Sequence, residues 1–394
     1  MLPGMRLHRF GTRPGWRAGM AVISLCAACS SAGPVRTPPP GRPPVAERPP
    51  EKAATVLRLG VIVPAGGEAY LQQYSEAVLE GVKLAAEERG ASGEYRVELV
   101  VRAAAGPAEA AAAVRELGAR GVLGIVGPLL DTNVDAAAGA RADTSVALVS
   151  PMAARSLAGL PNVYALNVPD TLGATALGDH VVRAGLAPAA VLRPRSGPAL
   201  AQARAFASSV TRRAGSAPLE VTYEPGTTNY AAIVRRLRDA RVKALFVAAE
   251  ENDLRQLLPQ LAYYGLGGAQ VFATGPWATP DGLERIGLRS LEGVIITLPF
   301  LPADSAGTWA RFVRHYEQVN RRSLDNAMPA LGYDAAALLL SNPAGGAAQV
   351  SARLRAGAEV TGATGHLVPM RGTVGRRPLL VRVVAGGLLP VDRP

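Results

Sequence analysis

From residue 56 onward the chain alternates short apolar runs with longer stretches in which apolar residues recur every three or four positions. Residues 56–63 (Val-Leu-Arg-Leu-Gly-Val-Ile-Val) form a β-type run stopped by Pro64, and residues 74–89 place Ala77, Val78, Gly81, Val82 and Ala85 on one helical stripe. The pattern predicts further strands at 95–101, 122–126 and 146–149, with helices at 108–119 and 133–141. After Asp170 the alternation restarts, with strands expected at 189–192, 219–223, 244–248, 271–273 and 294–298 and helices at 172–183, 199–213, 230–239 and 253–264. Helical stretches follow at 306–320, 329–341 and 347–355, and short β segments broken by glycine fill 365–391. Repeated βα order calls for mainly parallel sheets with helices on both faces. The expected fold class is therefore α/β, in two lobes.

The first 55 residues follow a different rule. Arg6, Arg9, Arg13 and Arg17 precede a short apolar run, 18–28, that ends in Ala27-Ala28-Cys29. This order is that of a secretion signal closed by a lipoprotein processing site. The run is too short to span a bilayer, which takes about 20 apolar residues. Small Ala28 precedes Cys29 whereas bulky Leu25 precedes Cys26, so Cys29 is the expected lipidated residue. Residues 29–55 then read as a Pro-rich, extended tether. The expected location is the cell envelope, lipid-anchored and facing the periplasm or exterior.

Charge changes this picture little. The formal net charge is +11, and removing residues 1–28 takes away four arginines and no acid, leaving +7. Only Lys52, Lys83 and Lys243 are lysines, and no dense basic run is interleaved with aromatics, so no nucleic-acid partner is expected. Once residues 1–28 are gone Cys29 is the one cysteine left, and a lipidated Cys29 leaves no disulfide to support the fold.

The familiar catalytic patterns are missing from the sequence. There is no Gly-Lys phosphate loop, no GxGxxG after a strand and no GxSxG elbow. His180, His315 and His366 are dispersed, without thiol partners. The reading is a binding protein rather than an enzyme, with no cofactor and no metal.

Several stretches carry a resemblance: Leu59-Gly60-Val61-Ile62-Val63-Pro64 with Glu80-Gly81-Val82-Lys83-Leu84-Ala85, Gly124-Ile125-Val126-Gly127-Pro128, Val149-Ser150-Pro151, Tyr223-Glu224-Pro225-Gly226, Gly332-Tyr333-Asp334-Ala335 and Val360-Thr361-Gly362-Ala363-Thr364-Gly365. Together they resemble type I periplasmic ligand-binding proteins of the leucine/isoleucine/valine-binding branch, the lipoprotein receptors of ABC importers. The resemblance implies two lobes joined by three crossovers, near Asp170, Pro299 and Gly372, with a small polar ligand such as an amino acid in the cleft. It implies a first lobe of 56–171 plus 300–373, a second of 172–299 plus 374–394, and ABC permease subunits as partners.

Ligands of open α/β sheets sit outside the carboxyl ends of the strands. The candidate ligand-binding residues there are Tyr70, Asp131, Thr132, Ser150, Met152, Ala154, Ser196, Glu250 and Trp277. Tyr70 and Trp277 are candidates to stack on a ligand. The resemblance also marks departures. Asp131-Thr132 stand where the family often has a serine that holds a carboxylate, and Met152, Ala153 and Ala154 where it offers a hydroxyl. Ser196-Gly197 replace its Tyr-Gly pair, and Trp277 stands where its amine-binding acid falls, with Glu250 or Glu251 as the substitute. Asp131 is expected to cap a helix.

A second resemblance leaves an alternative. Gly127-Pro128-Leu129-Leu130 with Asn133-Val134, and Leu192-Arg193-Pro194-Arg195-Ser196, look like penicillin-binding-protein activator lipoproteins, which share the fold and contact a peptidoglycan synthase. A ligand sensor is the third reading.

Overall fold

The computed structural model describes residues 54–391 except Pro198, together with all their side chains but those of Pro280 and Asp281. The expected signal, Cys29 and the expected tether up to residue 53 lie outside the described residues.

The first lobe opens with β1 (Thr55–Pro64), α1 (Ala69–Gly90), β2 (Tyr95–Ala104), α2 (Pro107–Ala119), β3 (Gly124–Val126), α3 (Asp131–Gly139), β4 (Ala147–Ser150) and β5 (Val163–Ala165). The second is built from α4 (Thr171–Arg183), β6 (Ala189–Pro194), α5 (Ala199–Ala214), β7 (Leu219–Tyr223), α6 (Ala231–Asp239), β8 (Ala244–Val247), α7 (Glu251–Tyr263), β9 (Gln270–Ala273), α8 (Pro280–Ile286) and β10 (Ile295–Leu298). The chain then returns to the first lobe with α9 (Thr308–Asn320), α10 (Met328–Leu340), α11 (Gly346–Arg355), β11 (Val360–Gly362), β12 (Gly365–Met370) and β13 (Thr373–Arg376). It ends in the second with β14 (Leu379–Val384) and β15 (Gly387–Pro390).

Two mixed sheets result. One has the order β11-β12-β13-β5-β4-β3-β1-β2 and the other β15-β14-β10-β9-β8-β6-β7. Pairing is parallel from β13 to β2 and from β10 to β7, and antiparallel only at the β11-β12-β13 and β10-β14-β15 ends. Each sheet has apolar clusters on both faces. In the first lobe one cluster joins Val61, Val78 and Leu339, and the other joins Ile62, Leu117 and Val134. In the second, Val247, Leu257 and Trp277 lie on one side and Phe206, Phe246 and Phe272 on the other. The two-lobed α/β expectation is therefore met.

Strand composition explains these elements. Central strands such as Ala244–Val247 are buried on every residue, which is why they read as continuous apolar runs. Helix α6 buries Val234 and Leu237 and leaves Arg235, Arg236 and Arg238 outward. Helices α1 and α10 touch backbone to backbone. A Cβ on Gly81 would stand 1.7 Å from the Pro329 carbonyl oxygen, and one on Gly332 would stand 2.1 Å from that of Val78. Only glycine permits that approach.

The chain passes between lobes at 166–170, 299–307 and 377–378. The third crossing lies later than the Gly372 that the sequence suggested, because Gly372 (φ +75°) turns the β12–β13 hairpin and β13 still pairs with β5.

Candidate ligand-binding cleft

The turns that leave the carboxyl ends of the parallel strands form two rims. In the first lobe they follow β1, β3 and β4; in the second they follow β6, β8 and β9. Gly127 makes the turn after β3 at φ +97°, where a Cβ would meet the Ile62 carbonyl oxygen at 2.3 Å. Among the described residues no hydrogen bond or ion pair joins one rim to the other, and the polar contacts of the crossings hold the lobes together. Cavities of about 660 and 360 Å³ open at the opposite, amino ends of the strands, beside Val56 and Val146 in one lobe and Ala189 and Leu219 in the other.

The crossings are tied by buried polar groups. Asp334 on α10 is fully enclosed and accepts from the amides of Ala363 (2.6 Å) and Thr364 (3.4 Å) and from the Thr364 hydroxyl. Arg376, the last residue of β13, stands 3.8 Å from Asp334, donates through Nε to Thr364 Oγ1 (2.5 Å) and through a terminal nitrogen to the Leu166 carbonyl in the first crossing (3.2 Å). Asp170 ends that crossing. Its carboxylate accepts from the Gly173 amide (2.8 Å), Thr297 (2.9 Å) and Thr274 (3.2 Å). Burial pushes both carboxyls above the usual aspartate value. Arg376 pulls both back, and so do the hydrogen bonds each accepts.

On the first rim, Tyr70 in the first turn of α1 is half-exposed and lies edge-on to Tyr74. Asp131 is the first residue of α3, but Leu130 occupies the cap position and no side chain caps the helix, so the expected cap is absent. One Asp131 oxygen, Oδ1, is enclosed without a hydrogen-bond partner and lies 3.9 Å from Arg155 Nε. Arg155 itself donates to Asp135 at 2.7 Å. Thr132 and Ala154 are exposed, and Met152 is half-buried against the lobe core. Ser150 is fully buried. Its hydroxyl donates to the Pro128 carbonyl (2.7 Å) and accepts from the Ala153 amide (3.2 Å), so it joins two rim turns from beneath.

On the second rim, Ser196 is exposed beyond β6. Trp277 is 2% exposed in the lobe core, and its indole N–H donates to the Ala249 carbonyl at 3.0 Å. Its ring is therefore not offered for stacking; it packs beneath the rim. The two glutamates after β8 separate. Glu251 pairs with Arg285 at 3.1 Å, whereas Glu250 is half-buried with Oε1 enclosed and unpartnered. Burial, and next the neighbouring Asp253, push the Glu250 carboxyl up.

The sequence reading missed the groups around Glu250. Asp253 is buried in the first turn of α7 and accepts from the Gly226 amide at 3.2 Å. Tyr223 and Tyr230 are buried, with ring centroids 5.4 Å apart and hydroxyls that lack partners. Burial raises both phenols, with the Asp253 charge as the next cause. The Asp334–Arg376 pair was missed as well. Its aspartate sits in a motif that reads as an ordinary helix start, and its partner is 42 residues away.

Comparisons with known proteins agree with this architecture. The model of the family "Periplasmic binding protein" matches residues 56–376. A putative branched-chain amino acid ABC transporter from Rhodospirillum rubrum is similar in structure, with 19% identity, a TM-score of 0.71 and coverage of 86% of this chain and 100% of that one. An ABC transporter substrate-binding protein from Sphaerobacter thermophilus has 21% identity, a TM-score of 0.60 and coverage of 86% and 98%. A solute-binding protein from R. palustris in complex with 4-hydroxybenzoate has 20% identity, a TM-score of 0.55 and coverage of 86% and 96%. At these identities the likeness is one of fold. Comparison with curated proteins gives no match. The family match runs through both lobes and all but the last crossing, and with two α/β lobes hung on three crossings it makes this chain a member of the periplasmic binding protein family.

Proposed function

We propose that the chain is the extracytoplasmic substrate-binding protein of an ABC importer, lipid-anchored through Cys29, that takes an amino acid or another small polar organic molecule between its lobes. The observation that carries this reading is the pair of rims. Each of two separate sheets offers the carboxyl ends of its parallel strands, and among the described residues no hydrogen bond or ion pair joins one rim to the other. Closure of two such lobes desolvates a ligand and brings polar groups to it from both sides. The proposed contacts are Tyr70, Asp131, Thr132, Met152 and Ala154 on one rim and Ser196 and Glu250 on the other, with Ser150 and Trp277 supporting them. Neighbours named as transporter components support the importer assignment, and ABC permease subunits are the proposed partners. No helix among the described residues is long and apolar enough to cross a membrane, in keeping with attachment through lipid.

A thermal-shift screen of amino acids, other small organic ions and cell-wall fragments tests the reading. A ligand at a hundredfold excess over its dissociation constant stabilises the folded state by about 2.7 kcal/mol. No shift with any compound, together with capture of a peptidoglycan synthase, would move the assignment to the synthase-activator alternative. The anchor is tested separately: Cys29→Ala should release the protein from membranes into the soluble fraction, and undiminished membrane association would refute it.

A further inference from the structure

We infer that the cleft selects a ligand of net positive charge, its ammonium or guanidinium held between Asp131 on the first lobe and Glu250 on the second. The inference deepens the binding reading above and rests on it.

Two carboxylate oxygens among the described residues are enclosed with no hydrogen-bond partner: Asp131 Oδ1 and Glu250 Oε1. They belong to opposite rims, at the turns after β3 and β8. An enclosed, unpartnered carboxylate oxygen is costly unless a donor arrives from elsewhere. At neither position does the protein supply enough positive charge. Arg155 serves two carboxylates at once, bonded to Asp135 and 3.9 Å from Asp131. On the second rim the Arg285 guanidinium is taken by Glu251, and the charge that acts on Glu250 is that of another carboxylate, Asp253. The rims therefore carry surplus negative charge in a chain whose formal charge is +11.

A second observation concerns the groups around Glu250. Tyr223, 3% exposed, lies within reach of the Asp253 and Glu250 charges, and Tyr230, 0% exposed, stands beside Asp253 with its hydroxyl unpartnered. The charges that act on these two phenols and on Glu250 are those of acidic groups, with no cation among them. A ligand nitrogen with several N–H donors would supply the missing charge at Glu250, because charge-assisted bonds to carboxylate are about twice as strong as neutral ones. A ligand charged only by a carboxylate fits poorly. It would meet Asp131 at the first rim, and the Ser150 hydroxyl is buried and already makes two hydrogen bonds inside the lobe.

Calorimetry on the full chain decides this, with putrescine, agmatine and arginine as cationic probes and leucine and 4-hydroxybenzoate as the others. The expected result is binding of at least one cationic probe, with Glu250→Gln and Asp131→Asn each weakening it tenfold or more. Both variants should keep an unliganded melting temperature at or above that of the wild type, which separates a binding role from a structural one. Tight binding of leucine or 4-hydroxybenzoate, with the cations inert, overturns the inference and leaves the binding reading intact. Cation binding that neither variant weakens overturns the assigned residues. Failure of every probe, and of the wider screen, overturns the binding reading and this inference with it.

Discussion

At the crossings, Asp334 is enclosed and Asp170 half-buried, and each of their carboxylate oxygens meets a donor; at the rims, Asp131 and Glu250 are half-buried as well, and each keeps one oxygen without a hydrogen-bond partner. All four are carboxylates, but the surroundings differ. A buried charge persists where the fold itself supplies its partners, and Arg376 with Thr364, Thr274 and Thr297 does so here. Where the fold leaves a carboxylate oxygen unsatisfied at a rim, the proposed ligand would supply the missing partner. The contrast separates groups that tie the crossings from groups proposed to receive a ligand.

The largest effect expected from breaking this contrast lies at the crossings. Asp334→Ala leaves Arg376 without its carboxylate and the amides of Ala363 and Thr364 without an acceptor. Loss of one partner of a buried pair costs about 3–5 kcal/mol, so denaturant unfolding should show a loss of that order. Arg376→Met comes next. It removes the cation that draws down both Asp334 and Asp170. Their carboxyls should then titrate still higher in the folded state than in the unfolded one, so the folded state binds the extra protons. The loss of stability should be greatest at neutral pH and shrink as pH falls toward the unfolded aspartate value of about 3.9.

Smaller effects belong to the rims. Glu250 is raised by burial and by Asp253. Its contribution to stability therefore grows as pH falls from neutral through the raised value toward the unfolded glutamate value of about 4.3. Glu250→Gln should flatten that part of a melting-temperature-against-pH curve and leave neutral-pH stability undiminished. A clear drop at neutral pH would mean that the charged form is satisfied within the fold. The smallest effect is at Asp131. It makes no capping bond, so Asp131→Ser should change unfolding free energy by no more than about 0.5 kcal/mol, as surface substitutions usually do.

The fold was legible because its strands are buried on both faces and its helices carry apolar stripes. Ala244–Val247 and the α1 stripe from Ala77 to Ala85 are clear in sequence. Three elements escaped. Strands β5 and β11 are three residues long, β5 following Asn162 at φ +52°, and α8 is seven residues opened by Thr279 and Pro280. None is long enough to show a period. The positions of the rims were legible too, since strand ends fix them, but the state of each side chain was not. Ser150 reads as a free hydroxyl until β3 and β4 are placed side by side and the Pro128 carbonyl claims it. Trp277 reads as a stacking surface until α7 and α8 close over it. Glu250 and Glu251 are adjacent in sequence, and only the positions of Arg285 and Asp253 tell them apart.

The glycine contact between α1 and α10 also sets an order of assembly. It joins residues 69–90 to residues 328–340, so the first lobe cannot cover the sheet face bearing Leu59, Val61 and Val126 until the last third of the chain exists. The second lobe lies almost wholly within 171–298 and lacks only its edge strands β14 and β15. In a chain that emerges amino end first, the later lobe is the first able to close on itself. The earlier one waits with an apolar face open to solvent, the form in which long-range contacts make chains slow to fold and prone to associate. A chain arrested before residue 328 should therefore hold a folded second lobe beside an aggregation-prone first.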